Sequence, residues 1–155
     1  MQHEDIPRDI RNLAFEFLYW FSRLEFALKE QRYLKDQEPG AKAEVSWERF
    51  LKDWQDSYTL TEAGRKLIAA KPQRQVVGNY ELEFRDVGFD DKPSDFGKAL
   101  RLVKTVRNNL FHGGKHGMSD WDNPERTREL LSLAKTVLDE IADHADILAD
   151  YWRRY

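Results

Sequence analysis

The stretch Arg107-Asn108-Asn109-Leu110-Phe111-His112 gathers a permanent cation, two amides and an imidazole. A free imidazole titrates at about pH 6.5, so His112 can take or give a proton near neutrality. Gly113 and Gly114 follow, which ends a helix there and lets the imidazole leave the helical path. With Phe96 as zero on a helical wheel, Arg107 projects at about 20°, in the middle of an apolar stripe that runs from about 280° to about 40°. A guanidinium in that position needs either a carboxylate partner or a wet cleft that admits an anion, because unpaired burial would cost several kcal/mol. Glu25, at the edge of the first helix's stripe, is a candidate partner in both cases.

Residues 98–128 hold Lys98, Arg101, Lys104, Arg107, Lys115, Arg126 and Arg128 against Asp120, Asp122 and Glu125. The chain's net charge of −3 therefore divides into +4 here and −7 elsewhere. An anionic ligand fits this local excess, and so does an ordinary solvated helix face. Arg101, Lys104, Lys115 and His116 are the candidate anion-binding residues. His112 and His116 are four residues apart, but two glycines intervene and no thiolate exists, so no metal and no cofactor is expected. His144 lies on the apolar stripe of the last helix and reads as a hydrogen-bonded core or interface residue.

The Arg-x4-His spacing with Asn directly after the Arg, read in Val106-Arg107-Asn108-Asn109-Leu110-Phe111-His112-Gly113-Gly114-Lys115, resembles the signature of the HEPN superfamily. The motif closes a long amphipathic helix, precedes a final one, and follows a first helix containing Ser22-Arg23-Leu24-Glu25. Specific identity is confined to about ten positions, and the subfamily, Apea-like among the candidates, stays open. The resemblance implies a small helical bundle and, in many members, a metal-independent endoribonuclease whose two motifs face each other in a homodimer. Other members are non-catalytic interaction or nucleotide-binding modules, or partners of nucleotidyltransferases.

In the ribonuclease case the RNA 2′-hydroxyl attacks the adjacent phosphate. His112 would transfer a proton, Arg107 would meet the charge growing on the phosphate oxygens, and Asn108 would orient one of them. One histidine per chain suits a reaction that wants an acid and a base only if two copies meet. RNA, a second copy, and an antitoxin or nucleotidyltransferase are the implied partners, in a defence or toxin-like setting.

The elements that must position these residues are helices. Ile10, Leu13, Ala14, Phe17, Trp20, Phe21, Leu24 and Leu28 trace one stripe of a first helix, with a second apolar group, Phe15, Tyr19 and Phe26, roughly opposite. That second face is expected to serve association or to lie under the segment 72–93. Pro39-Gly40 breaks the pattern, and Ser46 caps a short helix burying Trp47, Phe50, Leu51 and Trp54. Another short helix runs from about Thr61 to Ala70, before Pro72. In residues 72–93, Tyr80, Leu82 and Phe84 alternate with charges, which reads as an irregular insert with a short strand or hairpin. Ser94 opens a further long helix through Leu110, and Asn123-Pro124 opens a last one carried through Leu148 and Trp152 almost to the end. The fold class is therefore all-α, a bundle of three long helices plus shorter ones, in one domain over 1–155.

Length and composition limit the alternatives. A chain of 155 residues can bury a single core unaided. With no cysteine, disulfide scaffolds, thiolate zinc sites and cysteine nucleophiles are excluded. Phe17-Leu18-Tyr19-Trp20-Phe21 is too short to span a membrane, and MQHEDIPRD lacks the basic-then-apolar order of a signal peptide, so a cytoplasmic location is expected. No phosphate-loop, dinucleotide or serine-hydrolase motif occurs.

Overall fold

The computed structural model describes residues 6–111 and 123–153. Its helices are α1 (Arg8–Glu30), α2 (Trp47–Trp54), α3 (Glu62–Ala69), α4 (Asp95–Phe111), α5 (Pro124–His144) and α6 (Leu148–Tyr151). Between α3 and α4, β1 (Gln73–Val77) pairs antiparallel with β2 (Leu82–Asp86), Gln73 opposite Asp86 and Val77 opposite Leu82. The architecture is mostly helical, and the expected short-strand insert is a two-stranded hairpin. Among the described residues no helix is long and apolar enough to cross a membrane.

The predicted stripes are the faces that meet. Ile10, Phe17, Phe21, Leu24 and Leu28 of α1 are buried, chiefly against Leu131, Ala134, Leu138 and Ile141 of α5, while α4 adds Phe96, Ala99, Leu102 and Val103 to the same cluster. Fully burying each large apolar side chain stabilises by about 1.5–3 kcal/mol. Ring packing joins the short helices to this core: Phe50 of α2 meets Phe96 at 5.5 Å and Tyr33 at 5.2 Å.

Side-chain caps open the helices where the sequence places them. The Ser46 hydroxyl accepts from Arg49 N, Thr61 from Gly64 N, Ser94 from Gly97 N, and the Asn123 amide oxygen from Glu125 N and Arg126 N.

Two expectations are corrected. The last helix does not run on through Leu148: α5 ends at His144, and a turn separates it from α6. There Asp146 takes φ 53°, its N–H donates to Asp143 O, and Ile147 N donates to Ala142 O, the paired bonds of a Schellman ending. The turn folds Tyr151 back into the core, where it is fully buried. Nor does the segment 72–93 cover the second apolar face of α1. Phe15 and Tyr19 stack at 6.2 Å and remain 67% and 46% exposed, whereas Phe26 is half-buried with the Arg23 guanidinium 4.6 Å above its ring.

Candidate functional site

The long α4 carries the candidate cations along one side, because positions three and four apart in a helix are neighbours. Arg107 is half-buried. Its guanidinium lies 5.4 Å from the centre of the Phe21 ring of α1, and Nη1 donates to the exposed Asn108 Oδ1 at 3.0 Å. The arginine on the apolar stripe thus rests on a ring face, where the quadrupole attracts a cation, while Asn108 holds its outer edge.

One turn earlier, Lys104 Nζ lies 5.0 Å from the centre of the Trp47 ring. Trp47 in turn packs 5.8 Å from Phe21 at a tilt of 38°. Two cations of one helix therefore sit over two adjoining rings supplied by α1 and α2. Burial holds the Lys104 amine below the usual lysine range. The half-buried Glu25 pulls it back up, while Arg107 and Lys35 push it further down. Glu25, expected as a partner for Arg107, thus belongs to this neighbourhood with its charge acting on Lys104.

Arg101 is committed elsewhere. Its two terminal nitrogens hold Asp91 at 2.9 and 2.6 Å, and Nη1 also donates to Gly88 O at 2.8 Å. This fork draws the Asp91 carboxyl below its usual range and pins the loop after β2 to α4. Three further cations of the basic stretch also hold carboxylates: Lys98 meets Asp95, Arg126 meets Glu129, and Arg128 meets Asp9. The local charge excess is thus largely matched by short-range partners.

The two asparagines separate in role. Asn108 faces outward beside Arg107, whereas Asn109 Nδ2 donates to Gln73 O at 2.7 Å and ties α4 to the hairpin. His112, Lys115 and His116 lie outside the described residues. Among the described residues no cluster of His, Asp or Glu could hold a metal ion. His144 sits among Trp54, Tyr58 and Phe96, with Nε2 3.1 Å from Trp54 O and 3.3 Å from Ser57 Oγ. The Trp54 carbonyl can only accept, so the ring N–H points there and Nε2 is not a free base for Ser57.

Two contributors were not visible in the sequence. Phe21 and Trp47 read there as core mass; their role as seats for cations depends on three helices meeting. Arg23, buried in α1, donates to Tyr151 O at 3.2 Å, Asp150 O at 2.7 Å and Arg153 O at 3.2 Å, so it caps the C-terminal end of α6.

No protein-family model matches the chain, and no solved structure matches it. Over 92 residues it is 33% identical to hyaluronidase-2 of Mus musculus, an overlap of 52% of this chain and 18% of that protein. The chain spans less than a fifth of that relative's length, so the likeness carries no function across.

Proposed function

We propose that the chain is a HEPN-type, metal-independent endoribonuclease acting as a homodimer. The observation that carries this reading is the Arg107–Asn108 pair on α4, with the guanidinium over Phe21 and bonded to the exposed amide, and with His112 four residues after Asn108 in the sequence. A guanidinium braced by a ring and an amide is oriented in advance toward an anion, and such preorganisation is what stabilises charge in a transition state. In the proposed reaction the RNA 2′-oxygen attacks phosphorus, the 5′-oxygen leaves, and a cyclic phosphate remains. His112 accepts the 2′-hydroxyl proton, and His112 of the partner subunit donates one to the leaving oxygen.

The test is incubation of purified protein with transfer RNA in EDTA beside His112→Ala and Arg107→Ala. Wild type is expected to cleave, the His112 variant to lose about 10²–10⁴-fold and the Arg107 variant about 10²–10³-fold. Cleavage that survives both substitutions would overturn the site. Light scattering across a dilution series should return a dimer mass; a monomer at micromolar concentration would remove the composite site.

A non-catalytic interaction or nucleotide-binding module is the second reading. It is favoured by the pairing of Lys98, Arg101, Arg126 and Arg128 with carboxylates, which leaves fewer cations for an RNA backbone. Absence of cleavage of any RNA would select it.

A further inference from the structure

A cavity of about 520 Å³ opens between α2 and the first half of α4, beside the face that carries Arg107. Sites for small organic molecules span about 300–1,000 Å³ and combine apolar walls with a few fixed polar groups. The walls here are Trp47, Leu51, Pro93 and Leu100, and the loop before α4 closes one side. Gly97 lets that loop approach, since a Cβ there would stand 3.2 Å from the Pro93 Cβ.

Two basic side chains reach the interior from α4, and they differ in what they can offer. Arg101 is taken by Asp91 and the Gly88 carbonyl. Lys104 has no carboxylate within ion-pair distance among the described residues; its amine is half-buried against Trp47, where Glu25 acts on it from beyond ion-pair distance, Arg107 and Lys35 oppose that effect, and Glu48 lines the same cavity. A partly desolvated cation without an ion-pair partner gains from an anion more than a solvated one does. A single ammonium balances one negative charge. A phosphate dianion is better served by an arginine fork or several donors, and the fork in this cavity is occupied.

We propose that this cavity binds an organic monocarboxylate with a flat or branched apolar body. The carboxylate meets Lys104 Nζ, and the body lies against Trp47, Leu51 and Leu100. The ligand is a small molecule distinct from RNA, so this site stands or falls independently of the ribonuclease reading. Nothing in it requires His112.

Calorimetric titration of the full chain tests it, with indole-3-propionate and 4-methylpentanoate as probes, indole-3-propionamide as the uncharged counterpart, and inorganic phosphate as the rival anion. Saturable binding of at least one carboxylate is expected, with the amide about tenfold weaker or worse. Lys104→Met keeps the length of the side chain and removes its charge, and should weaken the carboxylate by about tenfold. Leu51→Trp fills the cavity from α2 and should abolish binding; circular dichroism verifies that both variants fold. No saturation by either carboxylate, unchanged affinity in Lys104→Met, or phosphate binding more tightly than both carboxylates would each overturn the proposal.

Discussion

Arg23 and Arg107 show how little a residue's type says about its work. Both are arginines on faces of amphipathic helices. One is buried with three carbonyl oxygens around it, and the other rests half-buried on a ring beside an amide. Hydrogen bonds from a charged donor contribute about 1.5–3 kcal/mol each when they can be isolated. Arg23→Met keeps much of the side-chain volume but removes all three charged hydrogen bonds, so it should destabilise the protein by about 2–4 kcal/mol in urea denaturation. A loss below about 1 kcal/mol would mean that solvent already serves the carbonyls. The helical wheel identified Arg107 as anomalous because it falls among apolar positions. No such signal marked Arg23, since its acceptors come from residues 127–130 positions later in the chain.

At the scale of elements, the side-chain caps that open α2 to α5 and the stop of α3 before Pro72 were legible, and the ends of α1 and α5 were not. Ser46, Thr61, Ser94 and Asn123 cap through their own side chains, a chemistry written in one residue. The ends of α1 and α5 instead use left-handed backbone at Arg32 (φ 64°) and Asp146 (φ 53°), where glycine is the usual residue. Tyr33 N then donates to Leu28 O and Arg32 N to Lys29 O, so the α1 ending satisfies its carbonyls despite the strain. Relieving it should help: Arg32→Gly is expected to stabilise by about 0.5–1 kcal/mol, measured by thermal or urea unfolding. Destabilisation would show that the arginine side chain contributes more than its backbone costs. The same geometry explains the broken last helix. Apolar spacing continues through Leu148 and Trp152, but periodicity carries no information about one residue changing the sign of φ.

Across the described residues, charge is arranged mostly as pairs close in sequence, with Arg128 and Asp9 joining distant segments. Arg128 holds Asp9 across 119 residues, Arg101 holds Asp91, and Lys42 and Lys35 hold Glu44. The hydrogen bond from Lys42, then that from Lys35, draws the Glu44 carboxyl down to about 2, and Asp9, Asp91 and Glu62 are lowered by their own partners. A carboxylate whose folded value lies below its unfolded value of about 4 contributes stability above that unfolded value, and the contribution is lost as pH falls through the folded value. Urea midpoints should therefore hold from pH 7 to about 5 and decline from about pH 4 toward 2, with Glu44→Gln flattening part of the decline. A midpoint constant down to pH 2 would contradict this. Resolving the net charge by segment raised the case for an anion site; resolving it by contact shows Lys98, Arg101, Arg126 and Arg128 of that segment already holding carboxylates.

The amino-acid order by itself determined the helices, their buried stripes, the caps that open them, and the grouping of Arg107, Asn108 and His112. These are local properties, set by side-chain chemistry and by a repeat of 3.6 residues. Tertiary structure alone decided which cations hold carboxylates and which rest on rings. It also decided that Phe21 and Trp47 seat Arg107 and Lys104, that Phe15 and Tyr19 stay exposed, and that a cavity stands open beside α4. Those outcomes depend on the distance between residues of different helices, and the free energy of a cation is set by whatever lies within a few ångströms of it, wherever in the chain that neighbour is encoded.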